Sequence, residues 1–163
     1  MEFMNLADIG QLVHGRRKAL GLSQARLALM SGLSRATINQ LETGSLVDLG
    51  AAKLIALLDL VGLNLDAATR KGHLHALQSV SQSASVSYKT SLDPSVLAAA
   101  LVDGELPQSI TPHIATLLDE VPLSLIVAAV EEVALSRSTP PKLLWKHVFH
   151  WARDLHSPRG VWA

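Results

Sequence analysis

The feature that most constrains this chain is the interruption of helix-period apolar residues by single glycines. Leu6, Ile9, Leu12, Val13 and Leu20 recur at near-helical spacing and Gly21 follows them. Leu27, Ala28 and Met30 come next and are closed by Gly32, and Ile38 and Leu41 precede Gly44. A richer run, Ala52, Leu54, Ile55, Leu57, Leu58 and Val61, starts near Leu49 and ends at Gly62. A glycine just past such a run sits where the left-handed residue after a helix belongs, because it has no Cβ to clash there. Ser23 and Ser34 follow two of these breaks and can cap the next helix through their hydroxyls. The pattern predicts four short helices before residue 69, each too short to be stable in isolation and therefore obliged to pack on the others.

Composition supports helix packing. Aromatic residues make up only 4% of the chain while 48% is hydrophobic, chiefly Leu and Ala, which favours helices over a sheet sandwich. With no cysteine, disulfides, thiolate metal sites and a cysteine nucleophile are all excluded. No stretch has the length and apolarity of a membrane span, and no basic-then-apolar leader opens the chain, so the expected setting is cytoplasmic. The formal net charge is zero, but its distribution is uneven. Arg16, Arg17, Lys18, Arg26 and Arg35 lie within twenty residues that contain no acid, a local field suited to phosphates even in a neutral chain. Their other reading is a solvated face with no partner.

Beyond Gly62, Leu63, Leu65 and Ala67 alternate with Asn64, Asp66 and Ala68, the period of a short strand. Residues 69–92 change character. Ser79, Ser81, Ser83, Ser85 and Ser87 alternate with Val80, Gln82, Ala84, Val86 and Tyr88, which fits either a flexible Ser-rich linker or a strand. From residue 93 the punctuation is helical again. Asp93-Pro94, Thr111-Pro112 and Thr139-Pro140 each set a capping side chain before a proline at the first helical position, and Pro122 begins a further run. Helices are expected near 94–103, 112–121, 123–136 and 140–155, the last with Leu144, Val148, Trp151 and Leu155 on one stripe. The fold class is mainly α, organised as an N-terminal domain over 1–68, a linker or strand over 69–92, and a small helical domain over 93–157.

Catalytic and metal signals are weak. There is no glycine-rich phosphate loop and no GxSxG. Asp119-Glu120 and Glu131-Glu132 are sequence neighbours that point to different helix faces and read as solvent-facing. His147 and His150 have a spacing that can suit a metal. They lack a third ligand and read as ordinary histidines, as do His73 and His75. Neither an enzyme nor a cofactor is expected.

The run LGLSQARLALMSGLSRATINQLETG, from Leu20 to Gly44, resembles the XRE, Cro and lambda-repressor helix-turn-helix family. The positions that carry the likeness are Gly21, Ser23-Gln24, Leu27-Ala28, Gly32, Ser34, Ile38, Leu41-Glu42 and Gly44. The resemblance implies a lambda-repressor-like bundle whose third helix enters the major groove. It implies base contacts from Arg35, Ala36, Thr37, Asn39 and Gln40, and phosphate contacts from Gln24, Ser34, Thr43, Ser45 and Lys53. It also implies an ion pair between Arg17 and Glu42 that braces the first helix against the third. Ala36 departs from the polar residue common at its position, so it can read at most a thymine methyl.

The expected partners are a double-stranded DNA operator and a second copy of the chain. The segment GLNLDAATR after the fourth helix looks like that of HipB-type antitoxins, which restrain a HipA-type kinase and in which a strand pairs across the dimer. The competing settings are a free-standing regulator with a ligand-responsive second domain, and a protein-interaction module without DNA binding.

Overall fold

The computed structural model of the chain describes residues 4–68 and 75–163. It divides into two compact units, Met1–Ala68 and Thr69–Ala163. The described residues contain helices and turns and no strand.

The first unit holds α1 (Leu6–Ala19), α2 (Gln24–Ser31), α3 (Arg35–Thr43) and α4 (Ala51–Leu60). Asn5 and Asp8 start α1 with reciprocal side-chain-to-backbone bonds, 3.0 Å and 2.9 Å, that satisfy two otherwise orphaned N–H groups. Ser23 and Ser34 cap α2 and α3 by accepting from Arg26 N and Thr37 N. Between them the chain reverses at Gly32, whose φ of 69° is left-handed. Leu33 packs half-buried under that turn. Val13, Leu27, Ile38, Leu41, Leu57 and Val61 form the core, each at most 1% exposed. Full burial of one such side chain contributes roughly 1.5–3 kcal/mol, which is what holds four short helices together. Residues 63–68 are irregular in the single chain, so the alternation read there as a strand does not produce one within it.

The second unit holds α5 (Ala76–Ser85), α6 (Pro94–Asp103), α7 (Thr111–Glu120), α8 (Leu123–Ser136), α9 (Pro141–Asp154) and a 3-10 turn, Gly160–Trp162. The first of these corrects the sequence reading. Within the segment read as linker or strand, residues 76–85 are helical, and residues 69–74 lie outside the described residues. The alternating serines conceal a helical period: Ala76, Val80, Ser81 and Ala84 are the buried positions, and α5 packs between α6, α7 and α8. Its start is capped from a distance, because Glu132 on α8 accepts from Leu77 N at 2.9 Å. Glu132 is therefore half-buried, where a solvent-facing carboxylate was expected.

Asp93 caps α6 as anticipated from its proline, accepting from the Ser95 hydroxyl and from Ser95 N, and these bonds hold its carboxyl below the usual range. Thr111 and Thr139 do not act as caps. Their hydroxyls donate backwards to Pro107 O and Arg137 O, and the helices begin behind Ile110 and Pro140 without a side-chain cap.

Carbonyls left over at helix ends are taken up by aromatic and basic donors from other elements. Trp151 Nε1 donates to Gly104 O at 3.0 Å, and His147 Nδ1 lies 2.6 Å from Leu101 O, so α9 closes the end of α6. Arg159 and Trp162 do the same for α7 by donating to Val121 O and Leu118 O. His147 and His150 thus have local roles, the latter 3.0 Å from Asp154. Among the described residues no three metal-ligating side chains come together.

Gly104 sits at this junction with a φ of 79°, and a Cβ there would fall 2.6 Å from the His147 ring. Gly104→Ala is expected to destabilise the second unit by about 2 kcal/mol, from backbone strain and a displaced imidazole. Thermal unfolding followed by circular dichroism checks this, and an unchanged midpoint would contradict it.

Candidate nucleic-acid interface

Helix α3 divides cleanly. Ile38, Leu41 and Glu42 point into the unit, while Arg35, Ala36, Asn39, Gln40 and Thr43 are exposed along one edge and Thr37 is half-buried. Such a division follows from the helical period: positions 35, 36, 39, 40 and 43 fall on one stripe, and the apolar positions face the other way.

The side chains on the exposed edge differ in what already occupies them. Ser34 and Thr37 bond each other, Oγ to Oγ1 at 2.8 Å. The Thr43 hydroxyl donates back to Asn39 O at 2.9 Å and lies 3.1 Å from Ser45 Oγ. Asn39 Oδ1 accepts from Gln24 Nε2 at 3.3 Å. Among the described residues, the side chains of Arg35 and Gln40 have no hydrogen-bond or ion-pair partner, and neither does that of Lys53, exposed on the first turn of α4. Arg35 and Gln40 therefore present a guanidinium and an amide outward, the groups that read guanine O6/N7 and adenine N6/N7 in bidentate fashion.

What sets the angle of this edge is a buried polar cluster behind it. Glu42 accepts from Arg17 Nε at 2.5 Å and Nη2 at 2.9 Å, a two-pronged pair between α1 and α3. Gln24 Nε2 donates to the same carboxylate at 3.0 Å, which ties in α2. His14 Nδ1 is 2.8 Å from Glu42 Oε2 and donates to it, since a carboxylate can only accept. Arg17 also donates to Leu22 O at 2.8 Å, in the turn between α1 and α2. Burial works against ionisation of Glu42. The hydrogen bonds from Arg17, His14 and Gln24, with the Arg17 charge, outweigh that and bring its pKa down to about 2. The same contact raises that of Arg17.

Sequence reasoning missed three further parts of this arrangement. Gly10 lets α1 lie directly on the α3 backbone, because a Cβ there would stand 1.9 Å from Leu41 O. Gln11 Nε2 donates to Glu42 O at 2.8 Å. Arg16, read as phosphate contact or solvated face, donates from Nε to Val61 O at 3.0 Å and closes the C-terminal end of α4. The spacing shows only that residues 10, 14 and 17 share one stripe of α1, not what that stripe meets.

A family model described as Helix-turn-helix matches residues 15–67, from within α1 to beyond the end of α4. No curated protein and no solved structure matches the chain.

Proposed function

We propose that the chain, whose residues 15–67 match the Helix-turn-helix family model, is a sequence-specific DNA-binding transcriptional repressor of the XRE and lambda-repressor type that binds a two-fold operator as a homodimer. The observation that carries this is the pairing of an outward edge, with Arg35 and Gln40 unengaged, with a buried Arg17–Glu42 pair that fixes its orientation. One such helix reads only a few base pairs. Selectivity comes from two copies on half-sites about one helical turn, ~34 Å, apart.

In this reading Arg35 and Gln40 contact bases directly, with Ala36, Thr37 and Asn39 completing the surface. Gln24, Ser34, Thr43, Ser45 and Lys53 contact phosphates, and Gln24 in addition keeps Asn39 in place. Repression follows from occupying a promoter and excluding polymerase, in the cytoplasm. An autoregulating antitoxin paired with a HipA-type kinase is the narrower form of this reading. It rests on Gly62–Arg70, of which residues 69–70 lie outside the described part, and retention of such a kinase on the tagged chain is its test.

Footprinting on DNA upstream of the chain's own gene tests the main reading and gives the half-site spacing. In gel shifts, Arg35→Ala is expected to lose about 1–3 kcal/mol of discrimination at one base position while keeping its affinity for unrelated DNA. Gln24→Ala is expected to weaken all sites alike. The reverse pattern would overturn these roles, and absence of any DNA binding at low salt would leave the interaction-module reading in its place.

A further inference from the structure

The second unit exposes large apolar side chains where a monomer has no use for them. On α8, Val127 is 52% exposed and Leu135 is 76% exposed, with Glu131 between them on the same stripe. On α9, Leu143 is 40% exposed and Phe149 is 46% exposed, beside Lys142, Trp145 and Lys146. These five α9 residues enclose a shallow, almost wholly apolar hollow of about 510 Å³. Its aromatic wall is continuous, as the Trp145 and Phe149 ring centroids lie 6.4 Å apart and Phe149 meets Trp162 edge-on at 5.7 Å. Trp162 is itself anchored through its indole to Leu118 O.

The charges on the two stripes are opposite and unused. Among the described residues, Glu131, Lys142 and Lys146 make no ion pair. On α8 the carboxylate is flanked four residues either way by apolar side chains. On α9 the two ammonium groups stand four residues apart beside the apolar hollow. Each stripe therefore offers what the other needs: apolar side chains for the hollow, and an acid for the bases. The two stripes also run away from one corner, because Leu135 lies in the last turn of α8 and Leu143 in the first turn of α9.

We propose that α8 of one copy docks on α9 of a second copy, and the reverse, forming a two-fold interface in which Val127 and Leu135 cover the Trp145–Phe149 hollow and Glu131 pairs with Lys142 and Lys146. A self-complementary patch of this kind closes a dimer and leaves no free surface to propagate. The inference rests on the proposed homodimer and locates it in the second unit.

Sedimentation of the full chain over a range of micromolar concentrations is the test. The wild type is expected to form a dimer. Phe149→Glu, Lys146→Glu and Glu131→Lys are each expected to raise the dimer dissociation constant at least tenfold, with the helical circular dichroism spectrum of the wild type retained. Glu131→Lys combined with Lys142→Glu and Lys146→Glu is expected to restore the dimer. A monomeric wild type, a dimer indifferent to all three single changes, or assemblies that grow beyond the dimer with concentration would each overturn the proposal. Binding to a single half-site separates this from the DNA-binding reading. The monomeric variants keep it if only the interface is broken, whereas a chain that dimerises as described but binds no half-site defeats the DNA-binding reading alone.

Discussion

Replacing Gly10 by alanine is expected to unfold or severely loosen the first unit, at a cost of about 3 kcal/mol or more, and to abolish DNA binding with it. A methyl group on Gly10 would overlap the Leu41 carbonyl at 1.9 Å from O and 2.8 Å from C. The obstacle is helix backbone, not the end of a flexible side chain, so no rotamer change relieves it. Relief requires α1 and α3 to separate. That movement would pull Arg17 and His14 away from Glu42 and Gln11 from the Glu42 carbonyl, dismantling the cluster that orients the outward edge of α3. Gly15 provides the control on the same helix. A Cβ there meets nothing within 4 Å, so Gly15→Ala is expected to stabilise by roughly 0.5–1 kcal/mol through helix propensity alone. Opposite shifts of the two midpoints in denaturant unfolding would establish the close approach. A Gly10→Ala variant as stable as the wild type would refute it.

The same comparison shows why parts of this molecule could be read from sequence and others not. Helices α2 and α3 were legible because each is bounded by local chemistry, a serine hydroxyl at one end and a glycine at the other, as at Ser34 and Gly44. The exposed edge of α3 was legible for the same reason, since Ile38 and Leu41 fix which way Arg35 and Gln40 face. The contacts of Gly10, Gln11, His14 and Arg16 were not, because each depends on how two helices cross. A polar residue on a helix stripe gives no sign of whether a carboxylate or solvent awaits it. Helix α5 failed for a different reason. Serine is small enough to be buried or exposed, so a period-two run of serines masks the period set by Ala76, Val80 and Ala84. Its cap comes from Glu132, distant in the chain, and local reading found none. The threonine caps of α7 and α9 failed because a hydroxyl before proline can turn back to an earlier carbonyl as readily as forward.

Glu42→Gln is expected to destabilise the first unit by about 3–5 kcal/mol at neutral pH, the cost of leaving a buried guanidinium without its counter-charge. The glutamine side chain can accept one of the two Arg17 bonds, but its amide group faces a second donor where the carboxylate accepted. The loss also has a pH signature. In the folded chain the Glu42 pKa is lowered from 4.5 to about 2, so its contribution is fully present above pH 4.5 and fades as pH falls through the interval down to 2. A shift of that size corresponds to about 3 kcal/mol. Stability measured by urea unfolding at pH 7, 5, 4 and 3 is therefore expected to show the gap between wild type and Glu42→Gln narrowing below pH 4.5, because the unfolded wild type takes up a proton that its folded form excludes and the variant has no such group. A gap that stays constant down to pH 3 would mean that Glu42 acts by shape and not by charge. Arg17→Lys serves as the complementary probe. One ammonium cannot supply both prongs to the carboxylate while also bonding Leu22 O, so this variant too is expected to lose stability despite keeping its charge. Both variants leave Arg35 and Gln40 in place, and a fall in their affinity for the operator at temperatures where they remain folded would show that the buried pair sets the angle at which the edge meets the groove.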